Sequence, residues 1–475
     1  MPTTLRSSWI ALTGLSAVFL FEMLDNSILN VALPTIGRDL SASTTALQWV
    51  TSAYAVVFGG LMLAFGALAD RFGRRRVMLT GLTLLGLASL ATLFVTTAGQ
   101  LIAVRAVMGV AAAMTTPGSV ALAFRLFDDD GLRVRAMTLI STVGLVGLAA
   151  GPTLGGLVLA VAPWQALLLA NAPIAVLAIA GVRVGIAADD PGELHRDPVD
   201  VAGAALGTAT IVLALVAPTL FVGEGARAGW AATVAAVAAA ALFVLRERTA
   251  RHPLLDLELV ARPLVSSGLA YKAAAGLATA GLGYMVTLQL QLDWGWSPAL
   301  AAVGMLPQVV VLIGGAVFVD PFVRWAGLER AAWISAATVV LGLGVYGLLN
   351  SFGYVWVAVA LVLVAAGMRV VGVVAGVNVM RGLPAHRTTT GAALVDTATQ
   401  VTSGAGVAVT GTVLAALFTG TIATSHWSPR QTAQFETAVT AAGLTLTAVA
   451  AALVGWAVLR MRFTGSGPGQ GQEAI

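Results

Sequence analysis

Residues 9–33 read WIALTGLSAVFLFEMLDNSILNVAL, an apolar run interrupted by Glu22, Asp25, Asn26 and Asn30. A helix rises ~1.5 Å per residue and a bilayer core takes about 20 apolar residues, so this stretch can span. It is longer than the apolar core of a cleavable signal peptide and carries two acids, so it is expected to stay as the first span. Along such a helix Glu22 lies about 18 Å from Pro34 and about 20 Å from Trp9, near the midplane. Spacings of three and four residues set Glu22, Asp25, Asn26 and Asn30 on one stripe. Ionisable groups at that depth are costly and persist where they face the protein interior or a partner, so the stripe is expected to line a cavity.

Runs of the same kind recur as far as Arg460. The chain of 475 residues is 58% hydrophobic and 10% charged, well under half the charge of an ordinary soluble domain at about 25%. Fourteen spans are expected, at roughly 9–33, 46–69, 77–97, 101–124, 136–160, 164–186, 200–220, 229–246, 264–292, 298–319, 331–349, 354–380, 389–418 and 436–460. The expected fold class is an all-α integral membrane protein with no sizeable soluble domain. Residues 1–186 would form one six-helix half and 263–462 another. Between them, 187–262 carries two inserted helices and an amphipathic segment on the inner surface, while 463–475 reads as a disordered tail.

Charge sets the orientation. With the amino terminus in the cytoplasm, 20 of the 26 basic side chains fall on the inner side, which is the positive-inside pattern and puts both termini in the cytoplasm. The net charge of +4 is therefore topological and does not point to nucleic acid. Cysteine is absent, which excludes disulfides and thiolate metal sites, and the four histidines are scattered, so no metal is expected. No Walker lysine exists, because the only lysine, Lys272, stands between Tyr271 and Ala273. Arginine-for-lysine bias with Ala/Gly richness suggests a GC-rich bacterial genome, hence a bacterial inner membrane.

Three further features carry chemistry. After the second span, Gly66 to Arg76 read GALADRFGRRR: Gly66 and Gly73 permit close backbone approach, Asp70 can accept from an arginine, and Arg71 and Arg74 can grip carboxylates. This can be a charged latch or a plain topology anchor. An echo, Asp320-Pro321-Phe322-Val323-Arg324, is expected in the matching link of the second half, and such internal repeats place a transporter's site between its halves. In the fifth span Gly147, Gly151 and Gly155 make one smooth face and Pro152 frees a carbonyl. In the thirteenth span Asp396, Thr399, Ser403 and Gly406 form a second polar stripe. Arg105, Lys272 and Arg369 are basic residues within spans that can pair with the acids or meet an anionic group on a cargo.

Leu24 to Pro34, LDNSILNVALP, resembles the first-helix signature of the 14-helix drug:proton antiporters of the major facilitator superfamily. GALADRFGRRR resembles the superfamily's inner-loop motif, and Gly147, Gly151, Pro152 and Gly155 resemble its antiporter motif. Arg105 in RAVMG resembles the fourth-helix motif, whose arginine that family links to proton transfer, although Met108 stands where glutamine is frequent. The resemblance implies antiport, a loop at Asp70, Arg71 and Arg74 that stabilises the outward-facing state, and a working monomer.

The expected function is proton-coupled efflux of a lipophilic drug or antibiotic by alternating access, with no catalysis and no cofactor beyond protons as coupling ion. Glu22, Asp25, Asp396 and Arg105 are the coupling candidates, in a cavity lined by spans 1, 4, 9, 12 and 13, with Asn26, Asn30, Lys272 and Arg369 as further cavity candidates. A proton-independent or symport carrier for a lipid or nutrient, and a non-transporting sensor, are the alternatives.

Overall fold

The computed structural model describes residues 4–127, 129–189, 200–251, 253–383, 388–419 and 427–462. The expectation for the tail 463–475 lies outside these residues. Within hydrocarbon every backbone N–H and C=O must find its partner inside the segment, and the described residues accordingly form helices joined by short turns.

The first group comprises α1 (Trp9–Asp39), α2 (Thr44–Phe72), α3 (Arg74–Ala91), α4 (Ala98–Arg125), α5 (Asp130–Leu159), the short α6 (Gln165–Leu169) and α7 (Asn171–Gly185). Their starts are encoded locally: Ser43 caps α2, Asp129 caps α5, and Thr97 with Gln100 closes a capping box on α4. α1 packs on α5 and α7, α2 on α4, and α3 against α4 and α7. Then come α8 (Val201–Gly223), α9 (Ala226–Thr249) and a single turn, α10 (Leu257–Ala261), the one helical piece of the segment expected on the inner surface. The last group is α11 (Pro263–Leu288), α12 (Pro298–Gly304), α13 (Leu306–Gly314), α14 (Ala316–Ala326), α15 (Leu328–Leu349), α16 (Tyr354–Gly382), α17 (Thr388–Leu417) and α18 (Pro429–Arg462). Here α11 packs on α16, α17 and α18, and α15 on α16 and α18.

Among the described residues 12 helices are long and apolar enough to cross a membrane, or up to 14 if each of two bent pairs is one span. One pair bends by 41° within α5, where Pro152 removes a donor and crowds the carbonyl of Leu148 one turn earlier. The other replaces the continuous tenth span expected at 298–319 with three pieces, and α13 meets the following helix at 66° across Gly314 and Gly315. The echo Asp320 to Arg324 also departs from expectation. It lies inside α14 instead of in a link, and the chain turns only at Gly327, where φ is 76°.

The inserted α8 and α9 are only 17% buried, against 83% for the span that begins with α11, so they sit outside the bundle. Thr208 Oγ1 donates to the Gly60 carbonyl (2.6 Å), and Gln48 Nε2 donates to Thr219 Oγ1 (3.1 Å) and to the Ala408 carbonyl (3.0 Å), tying α8, α2 and α17 together. Further joints between the groups are Gln291 Nε2 to the Val31 carbonyl (2.9 Å) and Gly156 against Pro298 and Ala302. The joints Gln291 to Val31 and Gly156 to Pro298 hold the groups together at the end away from Trp9 and Arg462.

Candidate functional site

α1 brings two acids to the centre of the first group, and they meet different surroundings. Asp25 is fully buried: its Oδ2 lies 2.5 Å from Arg105 Nη1 of α4, and its Oδ1 accepts from Asn171 Nδ2 of α7 at 2.8 Å. Arg105 is 1% exposed, stacks 4.6 Å over the Tyr54 ring and donates from Nε to the Val50 carbonyl at 3.2 Å. Its Nη1 also lies 3.8 Å from Met108 Sδ, at the position where the sequence departs from the family motif. A buried charge pair is tolerated when further hydrogen bonds support it, and here Asn171 of α7 and the Val50 carbonyl of α2 supply them.

Glu22, 2% exposed, accepts from Thr116 Oγ1 of α4 at 2.9 Å and from Gln400 Nε2 of α17 at 2.8 Å. The second bond crosses from one helical group to the other. Asp396, one turn before Gln400, stands close enough to both Glu22 and Lys272 for their charges to interact, yet forms no ion pair within 4 Å among the described residues.

Between the groups lies a cavity of about 120 Å³ whose walls include Met23, Ser27 and Asn30 of α1, Ser52 of α2, Pro152 of α5, Thr287, Gln308 of α13, Met368 of α16, and Thr399, Gln400 and Ser403 of α17. It is smaller than the ~300–1,000 Å³ of drug-sized pockets. Asn30 Oδ1 and Thr287 Oγ1 face it buried and, among the described residues, without a hydrogen-bond partner. The wall differs from the expected one. The second, fifth and tenth spans contribute, whereas α4 supplies only the second row through Arg105 and Thr116. Lys272 is not among the lining residues and its Nζ lies near Gly372 of α16, and Arg369 lines a separate cavity. The Asn26 side chain lies outside the described residues.

The glycine stripe of α5 has a direct cause. A Cβ on Gly151 would collide with Ser27, one on Gly155 would stand 3.0 Å from Ile28 Cγ1, and one on Gly147 3.0 Å from the Leu20 carbonyl oxygen. On the motif's other side Gly156 meets α12. The latch is internal to the first group: Arg74 Nε pairs with Asp70 Oδ1 at 2.7 Å, and the Asp189 carboxylate accepts from the Arg75 and Arg76 backbone N–H groups at the start of α3. Gly73, at φ 103°, needs glycine, whereas a Cβ at Gly66 would meet Pro117 at an ordinary 3.8 Å, so the close approach expected there is absent.

Tyr54, Asn171, Thr116, Asp189 and Gln400 were not among the sequence candidates. Gln400 was the most readable of them, since it lies four residues after Asp396 on the same stripe.

Residues 15–407 match the Major Facilitator Superfamily. The chain belongs to that superfamily. It is similar to the multidrug efflux pump LfrA of Mycolicibacterium smegmatis, 30% identical over 88% of this chain and 83% of that protein. It is also similar to the methyl viologen resistance protein SmvA of Salmonella typhimurium strain 14028s, 29% identical over 87% and 84%. A solved bacterial homolog of the human lysosomal transporter Spinster, inward-facing and unoccupied, shares the fold with a TM-score of 0.68 at 15% identity, covering 96% of this chain and 97% of that one. This facilitator is thus a multi-pass transporter of the bacterial plasma membrane and not an enzyme.

Proposed function

We propose that this transporter exports lipophilic, drug-like molecules in exchange for protons moving inward, as a monomer of 14 spans with both termini in the cytoplasm. The likeness to a multidrug efflux pump, LfrA, and to a methyl viologen resistance protein, SmvA, supports the cargo class. The coupling reading rests on one observation: the Glu22 carboxylate is bonded across the groups to Gln400, whose side chain lines the cavity.

Asp25, Arg105 and Asn171 clamp α1 to α4 and α7, so Glu22 travels with the first group while Gln400 travels with the second. When the groups rock, the bond between them must break. A carboxylate losing a donor in a low-dielectric interior is stabilised by taking a proton, so opening and protonation are linked. Cargo that enters and engages Gln400 competes for the same bond, which makes proton and cargo alternatives at one site. Asp396 sits where it can pass a proton between the cytoplasmic mouth and Glu22, and the Asp70, Arg71 and Arg74 loop holds the cytoplasmic side shut in the opposite state.

Proteoliposomes test this. Glu22→Gln is expected to abolish export driven by a pH gradient while leaving cargo exchange across equal pH intact. Gradient-driven export at the unaltered rate would remove Glu22 from the mechanism.

A further inference from the structure

Arg369 lies about halfway along α16, about 18 Å by helix rise from Arg381 and about 22 Å from Tyr354. At that depth a guanidinium cannot easily reach either surface. Among the described residues it makes no ion pair or hydrogen bond, and its Nε is buried without a partner. It lines a cavity of about 570 Å³ bounded by α13, α14, α15 and α16, distinct from the central one. That cavity sits where the tenth span breaks by 66°, and its rim residues Val310 and Phe318 are 67% and 71% exposed on spanning helices, which turns its mouth toward lipid.

An unpaired cation in an apolar niche open to the bilayer complements one kind of molecule, with an apolar body and one anionic head. We propose that the break in the tenth span is a binding site for an amphiphilic carboxylic acid of fatty-acid type drawn from the membrane, with Arg369 as the partner of its carboxyl group. The planar fork of a guanidinium donates two parallel hydrogen bonds to a carboxylate. Depth selects the source. Arg369 compensates the charge of a single-chain carboxylate that slides its head down to the midplane, whereas a phospholipid phosphate is held at the interface by its headgroup. The 66° bend opens the space and Gly314 leaves it empty, since a Cβ there meets nothing within 4 Å.

The test uses the full-length protein in phosphatidylcholine nanodiscs titrated with fluorescent cis-parinaric acid. Saturable binding is expected for the wild type. Arg369→Gln should weaken it by about tenfold or more, the scale of a lost charge-assisted hydrogen bond, and Arg369→Lys should retain part of it. Gly314→Leu should weaken it comparably with Arg369 in place, by filling the niche, and the corresponding alcohol should bind the wild type no better than Arg369→Gln binds the acid. Equal affinity in the wild type, Arg369→Gln and Gly314→Leu overturns the proposal, as does complete displacement of the probe by phosphatidylglycerol added to the discs. If Arg369→Gln is not monodisperse, unchanged affinity in Gly314→Leu is sufficient to overturn it.

Discussion

Glu22 Oε1 and Gln400 Nε2 stand 2.8 Å apart although 378 positions separate the two residues in the chain, and the bond joins α1 to α17 at the wall of the central cavity. Gln400 is thereby both a cavity residue and a ligand of the buried acid. Any movement that parts the groups must first deal with this bond.

Gln400→Leu keeps the approximate volume and removes the donor. A hydrogen bond to a charged group contributes about 1.5–3 kcal/mol, or roughly 10–100-fold in the equilibrium between held and released Glu22. The variant is expected to fold and to move cargo, but to pass more protons per cargo molecule. A pH-sensitive dye inside proteoliposomes, read alongside cargo counts, measures that ratio, and an unchanged ratio would separate Gln400 from coupling.

Asp25 calls for a revised expectation. From the sequence alone, Asp25→Asn should abolish proton-driven efflux and leave the protein folded. In the structure it would strip Arg105 of its only ion-pair partner among the described residues, in a site where both side chains are buried. Breaking a buried pair from one side costs about 3–5 kcal/mol, whereas replacing both partners by neutral groups of similar size can be nearly neutral. Thermal unfolding in detergent should therefore show a large loss for Asp25→Asn and a partial recovery for Asp25→Asn combined with Arg105→Met. Equal melting of wild type and single variant would mean the pair contributes nothing to folding.

The glycine stripe offers a steric test. A Cβ at Gly151 would collide with Ser27 on α1 and lie 3.2 Å from the Ile28 nitrogen, so Gly151→Ala must push the two helices apart, with overpacking costs of about 1–3 kcal/mol. Adding Ser27→Gly removes the nearest obstacle and should recover part of the loss. The readouts are melting temperature and the monodisperse fraction after extraction. If Gly151→Ala alone matches the wild type in both, close α1–α5 packing is not what requires glycine there.

Much of the architecture was readable because hydrophobic length is a one-dimensional property: the apolar run at 9–33 and its successors mark helices whatever they pack against. What could not be read is whatever depends on which helix lies beside which. Charge and depth do not distinguish Asp25 from Glu22, yet one meets Arg105 and the other Thr116 and Gln400. Arg369 was grouped with the central cavity because depth is legible from sequence and direction is not. The bend near Leu148 was foreshadowed by Pro152, whereas the break at Gly314 and Gly315 sits in a run that reads as continuously apolar. Asp189 falls in the segment 187–262 between the two halves, and only the fold brings it to the start of α3.

Stability should also depend on pH through Asp200, which stands just before the first residue of α8 at the end of the span. Asp200 caps α8 by accepting from the Gly203 N–H at 3.0 Å, and Arg246 Nε of α9 lies 2.9 Å from its Oδ2. The Arg246 hydrogen bond holds its carboxyl below the usual aspartate range, and the Gly203 backbone bond adds to that effect. Because the folded value lies below the unfolded one near ~3.9, the folded state binds fewer protons in that interval. The stabilisation is therefore complete above the unfolded value and is lost as pH falls through the folded one. Thermal unfolding of wild type and Asp200→Asn should differ most at neutral pH, and the difference should shrink as pH falls below the unfolded aspartate value, with the variant's curve the flatter of the two. Arg246 is nearly half exposed, so salt should shrink the difference. A gap that never narrows as the solution is acidified to the point of acid unfolding would mean Asp200 acts by shape alone and not through its charge.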